Sequence, residues 1–308
     1  MIAKHLCLPI GLRQACTAFT FLVLIHLSSP IFTMAAGVSE PEWDRLTSGL
    51  NATVWNPVSR CPDIPPLLMV QIDPERFRFS IYQFHDAGLP APLTIQDWQR
   101  HSGAYLLFNA GLFREDYSYL GLLLKEGRPL GTKRHHSWQG VFVAEPKEPT
   151  QRKARVLDLA FDLVPDDLFP YREAAQSLML LDRTGKPRVR QTGKRAYQTI
   201  VAEDSGGTIL VMKSTGPVAL YGLAECLRDA LPNIRQAMAM DGGSSSDILA
   251  SREVLGAPGE SGRQSDWRSL IDGSTTNHIA LPTVIGVLPR TVPRQTSQTI
   301  LHSSEPAR

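Results

Sequence analysis

Between residues 67 and 288 the chain alternates short apolar runs with turns rich in glycine, proline and charge. Leu67-Leu68-Met69-Val70-Gln71-Ile72 reads as a buried strand. Phe77, Phe79 and Ile81 alternate with polar neighbours as a half-buried second strand. The Asp73-Pro74 turn predicts that the two form a hairpin. Further short strands are predicted at Ala104 to Phe108, Leu120 to Leu124, Gln139 to Ala144, Leu178 to Leu181, Tyr197 to Ala202 and Thr208 to Met212. Glu126-Gly127 and Gly206-Gly207 supply turns between them. After Pro217, Leu220, Leu223, Ala224, Leu227 and Leu231 recur at helical spacing, with Glu225, Arg228 and Asp229 on the opposite face. A strand from Gln236 to Met240 and a last one from Ile279 to Leu288 complete the pattern. No repeat and no alternation of strand and helix is present, so the expected class is α+β: a mixed or antiparallel sheet with a few packed helices, in a single domain over residues 67–288.

The ends read differently. Lys4 and Arg13 precede an apolar run from Ala15 to Leu27, and small residues follow near Thr33, Ala35 and Ala36. That layout predicts a secretory signal peptide over residues 1–36. The run is too short, and too interrupted by His26, for the ~20 apolar residues that span a bilayer. The expected location is therefore periplasmic or secreted, with no stable membrane insertion after cleavage. Residues 37–66 carry Pro41, Pro57, Pro62, Pro65 and Pro66 and are expected to form an irregular lead-in, and residues 289–308 a disordered polar tail. The net charge of +2 comes from Lys4 and Arg13, because residues 1–36 hold no acid. The rest sums to zero, without the basic patch of a nucleic-acid binder. Past the leader only Cys61 and Cys226 remain, as one disulfide or as two buried thiols.

Two polar segments follow predicted strands. In Asp241-Gly242-Gly243-Ser244-Ser245-Ser246 the aspartate emerges where the chain must turn. The glycines permit positive φ and close approach of a ligand, and with the serines they supply donors for an oxyanion such as phosphate. The same residues would also suit a tight turn capped by an aspartate. Asn109-Ala110-Gly111-Leu112-Phe113-Arg114-Glu115-Asp116-Tyr117 would meet Asp241 if the two strands were neighbours in one sheet. Asn109, an amide at the end of an apolar strand, needs partners. Glu115 or Asp116 would add a second carboxylate, or simply be solvated. Gln176 and Arg195 each stand just before a strand, and arginine is well shaped for phosphate. His135, His136 and His278 are further candidates, but none has metal-ligand spacing, and neither a metal nor another cofactor is expected.

Asn109-Ala-Gly-Leu-Phe, Gly121 to Gly127, Gln176-Ser177, Arg195 and Asp241-Gly-Gly-Ser-Ser resemble, in that order, the recurring segments of the phosphodiester glycosidase family. The usual Asn-Gly-Gly has Ala110 in its second place, Leu112 precedes the motif's aromatic, and the C-terminal motif is represented only by Asn277-His278 ahead of Ile285-Gly286-Val287. The resemblance implies hydrolysis of a sugar 1-phosphodiester at the glycosidic carbon. Phosphate is already a good leaving group, so the demand falls on stabilising the departing anion and the positive sugar carbon. Asp241, Asn109, Arg195 and Glu115 are the implied catalytic residues, and Gly111, Gln176, Gly242, Gly243 and Ser244 the implied substrate-binding ones. The implied partner is a sugar phosphate or phosphorylated polysaccharide of the cell envelope. A non-catalytic protein binding such a polysaccharide in the same cleft is the competing reading.

Overall fold

The computed structural model describes residues 41–165, 169–256, 266–274 and 278–290. The first strands are β1 (Asp44–Thr47), β2 (Leu50–Trp55), β3 (Leu67–Ile72) and β4 (Phe77–Gln83), followed by helix α1 (Ile95–Ser102). Then come β5 (Leu106–Asn109), β6 (Leu123–Lys125), β7 (Arg128–Pro129), β8 (Gly140–Pro146), β9 (Ala154–Asp158), β10 (Tyr171–Leu181), β11 (Thr199–Asp204) and β12 (Ile209–Ser214). Helix α2 (Leu220–Ala230), β13 (Ile234–Ala239), β14 (Ile248–Ala250), two four-residue helices, α3 (Arg252–Leu255) and α4 (Arg268–Ile271), and β15 (Thr283–Pro289) complete the order.

Two sheets result. The larger has the order β1-β2-β3-β12-β11-β13-β10-β6-β7, with β8 paired to both β10 and β9, and the smaller has the order β14-β5-β15-β4. Every ladder among the described residues is antiparallel. Few and short helices leave the sheets, rather than an even mixture of the two elements, to define the fold.

The layers follow from which faces are apolar. One core lies between the sheets, where Val70, Ile72, Val211 and Met238 of the larger meet Phe79, Ile81, Phe108 and Ile285 of the smaller. Phe79 and Phe142 pack edge to face at 5.0 Å. Helix α2 covers the outer face of the larger sheet with Leu223, Ala224 and Leu227 against Met69, Ile200 and Ala237. Helix α1 covers the smaller sheet with Ile95 and Trp98 against Leu107 and Val284. Its start is capped by Thr94, which accepts from the Asp97 N–H, and its end by Gly103 in the left-handed region.

Two expectations are corrected. β3 and β4 are not a hairpin: β3 pairs with β2 and β12, whereas β4 pairs with β15 in the other sheet. β3 is apolar on both faces, which suits a central strand of a covered sheet, so the Asp73-Pro74 turn carries the chain from one layer to the other. Nor is the whole of residues 37–66 irregular. Its prolines leave 42–56 free, and β1 and β2 form there and extend the larger sheet from β3. Cys61 and Cys226 form a disulfide that ties this region to α2. The expected leader, the tail beyond Arg290 and Asn277 lie outside the described residues.

Candidate active site

β13 lies between β11 and β10 and delivers Asp241 two residues past its end. The Met240 N–H bonds Thr199 O at 2.8 Å, and the Asp241 N–H bonds Ala110 O at 3.1 Å. The chain thus crosses from the larger sheet to the segment that follows β5. A side chain at Gly242 would meet Gln198 Oε1 at 2.8 Å and the Tyr197 carbonyl at 2.9 Å, so the position accepts only glycine. Gly243 has φ +68° and faces open space. A short 3-10 turn, Gly243–Ser245, then brings the Ser245 hydroxyl back to the Asp241 carboxylate. Asp241 Oδ1 also accepts from the Gly242 N–H at 3.0 Å. Burial raises the Asp241 pKa above the usual carboxylate value, and the Ser245 and Gly242 hydrogen bonds pull it only partly back. The carboxyl is partly buried and receives neutral donors.

Asn109 fixes the position of this turn. Its Nδ2 donates to Asp241 O at 2.8 Å and to Ala110 O at 3.2 Å, while its Oδ1 accepts from the Asp247 N–H at 3.0 Å. The two strand ends meet across the two sheets, β5 in the smaller and β13 in the larger, and not as neighbours within one. Behind Asn109 lies Asp247, only 3% exposed, whose carboxylate receives Lys213 Nζ at 3.3 Å, the Ile248 N–H at 2.9 Å and His278 Nδ1. His278 is held from its other side by Gly273 O at 3.1 Å. His278 therefore supports Asp247, and no contact joins it to Asp241.

Gly111 and Gln176 form the floor beside the turn. The Gly111 N–H donates to the Tyr119 hydroxyl at 3.1 Å, and that hydroxyl donates to Gln176 O at 2.8 Å. A side chain at Gly111 would fall 2.4 Å from the Tyr119 oxygen and 2.7 Å from Gln176 O. Burial, and the nearby Asp241 charge, raise the pKa of the Tyr119 hydroxyl, which keeps it a donor. The Gln176 side chain is wholly buried. Its Oε1 accepts from the N–H groups of Leu122 and His135, and its Nε2 donates to the carbonyls of His135 and Trp138. Both ends of the amide hold the loop that carries His135 stacked on Trp138.

Arg195 and Glu115 are not brought to Asp241. The Arg195 guanidinium donates to the carbonyls of Asp63 and Pro217, at 3.1 and 3.2 Å, toward the lead-in and the start of α2. Glu115 is exposed at the tip of the 111–119 loop, which is closed by the Arg114 N–H donating to Ser118 O and by Asp116 accepting from Ser118. Ser244 is exposed beside Asp241. Among the described residues no three His, Cys, Asp or Glu side chains converge as metal ligands would.

Sequence reasoning missed Tyr119, Gln198, Lys213 and Asp247. Two of them carried a signal. Gln198 interrupts an apolar strand and is only 7% exposed. Asp247 stands directly before Ile248-Leu249-Ala250, where a buried acid requires partners.

The chain superposes on the catalytic domain of zebrafish N-acetylglucosamine-1-phosphodiester alpha-N-acetylglucosaminidase, a structure auto-inhibited by its pro-peptide, with TM-score 0.55 and 14% identity. The match covers 82% of this chain and 88% of that one. A hypothetical protein from Synechocystis matches with TM-score 0.52 and 13% identity over 82% of this chain and 64% of its own. These likenesses show the fold. No curated protein sequence matches. The sequence profile of the phosphodiester glycosidase family matches residues 102–287, the span that contains Asn109, Gln176 and Asp241, and the chain belongs to that family.

Proposed function

We propose that this protein is an exported hydrolase that cleaves the glycosidic C–O bond of a sugar 1-phosphodiester in an envelope or extracellular glycan. The observation that carries the reading is the partly buried Asp241 carboxyl, held by the Gly242 N–H and the Ser245 hydroxyl on a backbone that Asn109 fixes through the Asp241 carbonyl. Asp241 works in its ionised form at the anomeric carbon, either taking the proton of the water that attacks it or attacking it directly to form a glycosyl ester that water then hydrolyses to free sugar. The bond from that carbon to the phosphate oxygen breaks, and its electron pair leaves with the phosphomonoester. With Arg195 turned away, the charge on the departing phosphate falls to a neutral donor, the exposed Ser244 hydroxyl. Asn109 and Gly111 act on the geometry: one locks the Asp241 backbone, the other lets Tyr119 close beneath it.

Export is supported by the leader-like residues 1–36 and by the Cys61–Cys226 disulfide, a bond that persists in oxidising compartments. Among the described residues no helix is long and apolar enough to cross a membrane. The test is multiple turnover on a panel of small sugar 1-phosphodiesters. Release of free sugar from at least one member is expected. Saturable binding across the panel without turnover would contradict hydrolysis and favour the polysaccharide-binding reading.

A further inference from the structure

At the opposite end of β13, Arg152, Arg155 and Arg235 converge on one fully buried carboxylate, Glu203. Only Arg152 meets it at close hydrogen-bond distance, 2.7 Å, with Arg235 at 3.5 Å and Arg155 at 3.7 Å. Glu203 also accepts from the Val156 N–H at 3.1 Å, so it cannot satisfy three guanidinium groups. The Nε of Arg155 is buried and has no hydrogen-bond partner. Asp162 also borders this cavity, but its carboxylate is paired with Arg183 at 2.8 Å and accepts from the Asp158 N–H. Among the described residues, three guanidinium groups share the one carboxylate of Glu203 and leave positive charge in excess beside a cavity of about 490 Å³, where Tyr171 also lines the wall and hydrogen-bonds Arg155. Guanidinium groups left short of acceptors in such a place are matched by the oxygens of an oxyanion. Phe161 and Leu163, both exposed, form an apolar lip on the same cavity. A bare ion has no use for that lip, whereas the C–H face of a sugar does.

We propose that Arg152, Arg155 and Arg235 form a second, non-catalytic site that binds a sugar-borne phosphate. At about 3.3 Å per residue along a strand, Arg235 and Asp241 are roughly 20 Å apart. The two sites therefore act on different parts of one glycan strand, or on different strands. Anion binding here stands apart from the hydrolase reading, because it calls on no residue of the Asp241 turn.

Glucose 6-phosphate, a phosphomonoester with no 1-phosphodiester to cleave, and inorganic phosphate are the probes, titrated calorimetrically into the full protein. Glucose 6-phosphate is expected to bind at least tenfold more tightly than inorganic phosphate. Arg155→Gln and Arg235→Gln are each expected to weaken it about tenfold, while Asp241→Asn leaves it unchanged. Should a variant fold poorly, the wild-type protein answers the same question. Modification of arginines by phenylglyoxal, mapped by mass spectrometry, is expected to slow at Arg155 and Arg235 when glucose 6-phosphate is present. Equal affinity for the two probes would overturn the assignment to a sugar. Affinity indifferent to both arginines, loss of binding in Asp241→Asn, or no protection from phenylglyoxal would overturn the site. Turnover of small sugar 1-phosphodiesters by Arg155→Gln and Arg235→Gln, expected at the wild-type rate, reads the hydrolase proposal separately.

Discussion

Asp241 and Asp247 stand six residues apart on one turn, and their surroundings are opposite. Asp241 is half-buried, receives only neutral donors, the Gly242 N–H and the Ser245 hydroxyl, and has its pKa raised by burial. Asp247 is almost wholly buried and receives Lys213 and His278 as well as a backbone N–H. A carboxylate between such partners is held in one place, whereas a partly exposed one left with neutral donors is available for chemistry. Asn109 joins the two, accepting from the Asp247 N–H and donating to Asp241 O. The contrast separates a reacting group from its support, and it is open to attack from either side.

The largest effect is expected at the reacting group. Asp241→Asn keeps an acceptor for the Gly242 N–H and should lower turnover of a sugar 1-phosphodiester by about 10²–10⁴-fold with the fold intact. The sign of its stability effect is also fixed. An acid with a raised pKa is costly in its charged form, so the variant should melt higher than wild type at neutral pH. That advantage should fade as the pH falls through the raised folded pKa and be gone below ~3.9, where the carboxyl is protonated in both folded and unfolded chains.

Asp247→Ala should behave in the reverse manner, leaving Lys213 buried without its partner and costing about 3–5 kcal/mol in denaturant melts. Reducing the Cys61–Cys226 bond, which closes a loop of sequence separation 165, should cost about 2–4 kcal/mol. It should do so without changing the rate constant of the protein that remains folded, because the bond lies against α2 and away from the turn. Gly111→Ala, forced against the Tyr119 oxygen and the Gln176 carbonyl, should destabilise by about 1–3 kcal/mol. Here the rate should fall as well, because the displaced Tyr119 lies near Asp241.

The sheet strands were legible wherever their apolar runs were continuous, as in β3, β12 and β15, and α2 was legible from its leucine spacing. Helix α1 was not, because Ile95 and Trp98 are its only buried residues and its other positions are polar. β9 and β14 are too short to show a period of their own, and they take their partners from β8 and β5. Asp241 and Asn109 were readable as strand-end polar residues, but their meeting across two sheets was not. Pairing between layers leaves no local pattern. Arg195 shows the same limit: its position ahead of a strand suited a phosphate, and only the structure turns its guanidinium toward Asp63 and Pro217. Gln176 shows the converse, a residue whose place in the order of motifs reflects a loop it holds.

The central claim, attack at the sugar carbon by chemistry centred on Asp241, is tested most directly by following hydrolysis of a sugar 1-phosphodiester in water enriched in heavy oxygen. The account predicts that the label appears on the released sugar and that the phosphomonoester carries none. Label on the phosphate would mean cleavage of the P–O bond and would contradict it.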